Sequence, residues 1–128
     1  MLEIKQKAKK IKNLEFKGFL DKEDAFELIE KATVFVNTSE LNREGFPNTF
    51  LESGDCFTPV VSLNSNPDNV LTKYNSGFHS NSFEQTIDDI KTLMKDEKLR
   101  DEMGLNNHNY VLKYHDANNI IKELEAVF

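Results

Sequence analysis

Two carboxylates, Glu44 and Glu52, bracket the stretch Gly45-Phe46-Pro47-Asn48-Thr49-Phe50-Leu51, and this stretch is where the chain has the residue types for ligand chemistry. Proline is favoured at the first position of a helix because its missing N–H would have no intrahelical partner there, so a helix is expected to start at Pro47. Phe46 is then the N-cap. It has no side-chain oxygen to accept from the free N–H groups of Asn48 and Thr49, as Asp or Ser would. Those donors, at the positive end of the helix dipole, suit a phosphate. Glu52 follows Pro47 by a rise of roughly 7.5 Å along the axis, and Glu44 precedes the turn. One carboxylate therefore flanks the phosphate site on each side, and carboxylates accept well from sugar hydroxyls. The same acids also read as ordinary helix-end residues, with Glu44 favouring a helix N-terminus and Glu52 solvated.

The flanking segments must position this cradle. Thr33-Val34-Phe35-Val36 is β-branched or aromatic throughout and passes into the polar Asn37-Thr38-Ser39. Pro59-Val60-Val61-Ser62-Leu63 is a second such run, followed by the loop Asn64-Ser65-Asn66-Pro67-Asp68-Asn69. Gly77-Phe78-His79-Ser80 reads as a last short strand. Uniformly apolar strands suit a parallel sheet covered on both faces, and the loop after Ser39 then lies at the carboxyl end of a strand, where open α/β sheets bind ligands.

Between the strands the periodicity is helical. Leu2, Ile4, Ala8 and Ile11 give a short basic helix over residues 2–12, and Phe26, Leu28, Ile29 and Ala32 mark another that starts at Asp21 or Lys22. Ser82 and Gln85 form a capping box before Phe83, Ile87, Ile90, Leu93 and Met94. Asp96 caps a helix holding Leu99 and Met103, with a break or kink expected at Gly104. Asp116 caps a terminal helix with the stripe Ala117, Ile120, Ile121, Leu124 and Val127. Residues 13–17 alternate apolar and polar and stop at Gly18, the pattern of a strand. The alternation of strands and helices predicts an α/β, Rossmann-like parallel sheet flanked by helices, in a single domain over residues 1–128.

Order as well as content carries a resemblance. An apolar strand ending in Ser39, then Glu44-Gly45-Phe46-Pro47-Asn48, then Glu52, Cys56 and Thr58-Pro59-Val60-Val61, resembles the E-x7-E region of the group 1, GT-B-fold, retaining glycosyltransferases. The similarity runs from about Asn13 to the C-terminus. It implies a catalytic role for Glu44, holding hydroxyls of the transferred sugar, with the backbone of Gly45, Phe46 and Pro47 beside it. It implies that Asn48 and Thr49 offer amides to the donor diphosphate, that Glu52 takes the two ribose hydroxyls, and that Phe19, Leu20 and Asp21 line the pocket of the base. The implied substrate is a nucleotide-diphosphate sugar, with a glycan or lipid-linked acceptor and no metal or further cofactor.

The chain departs from the family pattern in three places. Ser53-Gly54-Asp55-Cys56-Phe57 stands where the family has Ala-Met-Ala-Cys-Gly, so Phe57 occupies a position that a left-handed glycine usually fills. Asn64-Ser65-Asn66 replaces glycines common in the loop before Pro67. The two strands and the basic pair that open the family's C-terminal domain do not precede Met1. The resemblance thus implies an incomplete GT-B C-terminal domain, separated from an N-terminal acceptor domain and inactive by itself. A sheet edge left open in this way is expected to lead either to self-association or to local disorder of residues 1–20.

Composition bounds the alternatives. The net charge of −6 and a pI near 5.1 give no electrostatic footprint for nucleic acid. A single Cys, no ~20-residue apolar run and no signal-peptide core point to a cytoplasmic setting, peripheral to the inner face of a membrane in a longer enzyme. Cys56 reads as a small buried residue, and His79, His108 and His115 have no zinc-site spacing. A nucleotide-sugar-binding remnant without catalysis fits the same residues. A receiver-like signalling domain fits length and acidity, but its acidic cluster after the first strand is missing.

Overall fold

The computed structural model describes residues 2–39 and 48–127. Helix α1 (Leu2–Lys9) and α2 (Lys22–Lys31) precede β1 (Phe35–Asn37), α3 (Asn48–Asp55) and β2 (Val60–Ser62). A 3-10 turn (Pro67–Asn69), α4 (Val70–Lys73) and β3 (Gly77–His79) follow, and α5 (Phe83–Lys95), α6 (Glu97–Tyr114) and α7 (Ala117–Val127) close the chain. The strands form one parallel sheet in the order β1-β2-β3, with Asn37 beside Ser62 and Ser62 beside His79. This is the expected α/β, Rossmann-like arrangement of a parallel sheet between helices.

Alternation along β2 divides the core in two. Val60 faces Phe50 of α3, Val70 and Leu71 of α4, and Tyr110 and Val111 of α6. Val61 points the other way, to Leu93 of α5 and Met103 of α6. Helix α5 therefore covers one face and α3 with α4 the other, and α6 contributes to both. Ser82 caps α5 by accepting from the Gln85 amide at 3.1 Å, but the Gln85 carboxamide donates to Asp89 instead of returning to Ser82. Only half of the capping box forms. Asp21, Asp96 and Asp116 accept from Asp24, Leu99 and Asn118 as N-terminal caps do.

Two expectations are corrected, and two helical stripes are seen to be only partly covered or exposed. Residues 13–17 join no strand: Leu14 and the ion-paired Glu15 and Lys17 are exposed, because an alternating sequence becomes a strand only where another strand accepts its hydrogen bonds. Gly104 does not break α6. It lies in mid-helix where an added Cβ would strike the carbonyl of Phe57, so its lack of a side chain permits close approach. The stripe on α5 is buried at Leu93 and half-buried at Ile90, while Phe83, Ile87 and Met94 are exposed. On α7, Ile120, Ile121, Leu124 and Val127 are all exposed, since helical periodicity creates an apolar face without supplying a surface to cover it.

Phe57 ends α3 with φ 58°, the left-handed region. Its ring stacks on His108 with centroids 3.8 Å apart, which offsets the cost of that backbone for a residue with a Cβ. The usual order of Ala and Gly should therefore reverse here. Phe57→Ala loses the stacking and keeps the strain, whereas Phe57→Gly loses the stacking and releases it. The glycine variant should be the more stable of the two by about 1 kcal/mol. Urea denaturation of both proteins checks this, and equal midpoints would show that no strain resides at this position.

Candidate functional site

The carboxyl ends of the three strands carry a continuous polar rim. Asn37 Oδ1 accepts from the Ser39 amide at 3.0 Å, and Asn64 Nδ2 donates to the Ser39 carbonyl at 3.3 Å. His79 Nε2 donates to the Asn64 carbonyl at 2.8 Å. The ends of β1, β2 and β3 are thereby tied to one another by side chains as well as by the ladder. Next to them, Asn66 Oδ1 accepts from the Leu71 amide at 2.9 Å and Asn66 Nδ2 donates to Thr72. That carboxamide holds a turn in which Asp68 and Asn69 both have positive φ, 54° and 56°. Successive left-handed residues with side chains are costly, and Asp and Asn tolerate them best.

Among the described residues, two buried donors on this rim have no partner: Asn37 Nδ2 and Ser62 Oγ make no hydrogen bond there, and the two residues are 7% and 0% exposed. They are neighbours in the ladder and share the face of Phe35 and Val60, the face on which α3 packs. Buried polar groups are nearly always paired, so unsatisfied donors mark a place that a further oxygen would stabilise. The sequence signal was the switch from apolar to polar residues at the ends of both strands, and only the register places Asn37 beside Ser62.

Helix α3 leaves the same end of the sheet. Asn48 is exposed, Thr49 and Glu52 are half-buried, and Phe50 anchors the helix in the core. Asn48 and Glu52 are separated by one turn, so they lie on one side of the helix. The other end of α3 is fully engaged. Cys56, Phe57 and Thr58 donate their amides to Glu52, Gly54 and Ser53, and His108 Nδ1 donates to Gly54 at 3.1 Å. Asn107 donates to Thr58, whose hydroxyl donates to Ile29 at the end of α2. Gly54 lets α6 approach, because a Cβ there would meet Val111. The helix is thus clamped at its C-terminal end.

Glu44, Gly45, Phe46 and Pro47 lie outside the described residues, as does the expected helix start at Pro47. Asn37, Ser39, Ser62 and Asn64 come together at one end of the sheet only through the fold, while Asn48, Thr49 and Glu52 lie on α3. The three residues expected near a base separate. Phe19 is 99% exposed, Asp21 caps α2, and Leu20 lines a cavity of about 260 Å³ with Lys17, Asp24, Glu27, Leu28 and Lys31.

Cys56 is half-buried and free, and burial, followed by the charges of Glu30, Asp55 and Glu52, pushes its thiol pKa up. A raised pKa leaves little thiolate, so the residue is a poor nucleophile. His115 Nε2 and the Tyr110 hydroxyl share a hydrogen bond of 3.0 Å, and burial lowers the histidine's pKa while Asp68 opposes that shift. Among the described residues no three His, Cys, Asp or Glu side chains gather as metal ligands, and no helix is long and apolar enough to cross a membrane.

The model of one protein family, glycosyl transferases group 1, matches residues 2–110. No curated protein and no solved structure gives a significant match.

Proposed function

The chain belongs to the group 1 glycosyl transferase family, and from that premise we propose that it forms the donor-binding side of a transferase that moves a sugar from a nucleotide-diphosphate sugar to a glycan or lipid-linked acceptor. In the reaction the bond between the sugar's anomeric carbon and the diphosphate breaks, and a bond from that carbon to an acceptor oxygen forms. The chemical problem is the negative charge that develops on the leaving diphosphate, and its solution is electrostatic. The amides at the start of α3, Asn48 and Thr49 among them, are assigned to that charge, together with the positive end of the helix dipole. Glu52, one turn further on, is assigned to the ribose hydroxyls, because a carboxylate has acceptor capacity on both oxygens. Glu44 is assigned to hydroxyls of the transferred sugar, with the backbone of Gly45, Phe46 and Pro47 beside it.

The observation that carries this reading is the pair of unpartnered buried donors, Asn37 Nδ2 and Ser62 Oγ, on the α3 face at the carboxyl end of the sheet. Donors without acceptors at the carboxyl end of a sheet suit a ligand rich in oxygen. Titration of the ¹⁵N-labelled chain with UDP and with GDP tests it. The amides of Asn48, Thr49 and Glu52 should shift together and saturate with one dissociation constant. Shifts confined to α5 or α7, or none at millimolar nucleotide, would exclude a donor site at α3.

A further inference from the structure

A second concave surface lies between α6 and the end of α4. Tyr74, Asn106, Asn109, Tyr110, Lys113 and Tyr114 line a cavity of about 190 Å³ there. Tyr74 follows α4 and precedes β3, so the cavity lies toward the amino end of that strand, whereas the polar rim is at its carboxyl end. The three tyrosine rings touch one another, with centroids 4.8, 5.1 and 5.6 Å apart and planes tilted by 44°, 37° and 55°. Tyr110 is buried, Tyr74 half-buried and Tyr114 40% exposed, so the cluster forms a cup with a buried floor and an open lip. Asn106 Nδ2 donates to the Asn75 carbonyl at 3.0 Å, which fixes one carboxamide at its edge. Lys73 and Lys113 hold their ammonium groups 5.5 and 5.2 Å from the ring centroids of Tyr74 and Tyr114. Among the described residues that line the cup Lys113 is the charged one, in a chain whose net charge is −6. A hydrogen bond between the Tyr74 and Tyr114 side chains pushes Tyr74 up to about 12 and, with Lys113, draws Tyr114 down.

We propose that this cup binds one acidic pyranose unit of a glycan, a uronic acid, with its ring on the tyrosines and its carboxylate on Lys113. Size fits a single ring: at about 30 Å³ per water the cavity has room for roughly six waters. Shape selects a puckered ring over a flat one. A planar base stacks between parallel faces, and no two of these rings are parallel, whereas a pyranose carries C–H groups on several sides and can meet faces set at an angle. The face of an aromatic ring is the negative end of its quadrupole, so it attracts the polarised C–H groups of a sugar. The carboxamides of Asn106 and Asn109 each combine donor and acceptor groups, as sugar hydroxyls require. Lys113 supplies a charge-assisted hydrogen bond to the carboxylate. This inference does not depend on donor binding at α3.

Titration of the ¹⁵N-labelled 128-residue chain with glucuronate and with glucose tests it. Glucuronate should shift the side-chain amides of Asn106 and Asn109 and the backbone amides of Lys113 and Tyr114, all with one dissociation constant, and leave Asn48, Thr49 and Glu52 of α3 in place. Glucose should bind the same residues about tenfold more weakly, the order expected for losing one charge-assisted hydrogen bond. Lys113→Gln should bring glucuronate down to the level of glucose, and Tyr114→Ala should abolish binding of both, with circular dichroism unchanged in each variant. No shift at the cup with millimolar glucuronate would overturn the proposal. So would equal affinity for the two sugars, or binding that survives in folded Tyr114→Ala. Lys113 is exposed, so its variant decides the matter if Tyr114→Ala fails to fold: a preference for glucuronate that persists without Lys113 overturns the assignment.

Discussion

Gly104→Ala should destabilise the protein by about 3 kcal/mol, the upper end for inserting a methyl group into packed structure. At an ordinary helical site the sign is opposite, since Ala is favoured over Gly by about 1 kcal/mol. Here the new Cβ would strike the carbonyl of Phe57, which is backbone and cannot rotate away. Phe57 is held in turn by its stacking on His108 and by its amide bond to Gly54. Helix α6 would have to move outward, and Met103, 3% exposed between the sheet and α5, would move with it. A loss of this size is a large share of the 5–15 kcal/mol that holds a domain together. Urea denaturation measures it, with Glu102→Ala on the exposed side of α6 as the control that should change little. If Gly104→Ala were neutral or stabilising, the close contact between α6 and the end of α3 would be absent in solution.

Glu52→Gln should lower affinity for a nucleoside diphosphate by about ten- to hundredfold. The substitution keeps the size of the side chain and replaces one acceptor oxygen by an NH₂ group, so one ribose hydroxyl loses a charge-assisted bond worth roughly 1.5–3 kcal/mol. Each 1.4 kcal/mol or so is a factor of ten in affinity. Glu44→Gln should leave that affinity nearly unchanged, because a nucleoside diphosphate has no transferred sugar, and should weaken binding of the complete nucleotide sugar. Calorimetric titration of both variants with both ligands gives four numbers that must dissociate in this way. Equal losses in both variants would assign the two acids to a common electrostatic role. No loss in either would return them to ordinary helix-end acids.

The amino-acid sequence by itself determined the class of the fold and the family. Apolar runs at residues 34–36 and 60–61 suit a parallel sheet between helices, and the second of them is buried on both faces. The spacing from Ser39 through Glu52 to Pro59 distinguishes the family. The resemblance marked Phe57 as standing where the family has a left-handed glycine, and the structure keeps that backbone conformation with a phenylalanine in it. Helix starts at Asp21, Ser82, Asp96 and Asp116 were legible because a cap is a local hydrogen bond between residues two or three apart.

Only the tertiary structure decided which patterned segments found partners. Residues 14–17 alternate as a strand and the face of α7 is striped as a packed helix, yet the first joins no sheet and the second stays exposed. Periodicity states what an element could bury, whereas burial requires a second surface that no local pattern contains. The same limit applies to the glycines, since Gly104 reads as a breaker until the carbonyl of Phe57 is seen beside it. It applies most of all to the site. Asn37 and Ser62 are 25 positions apart in the chain and become a pair of unpartnered donors only through the register of β1 on β2.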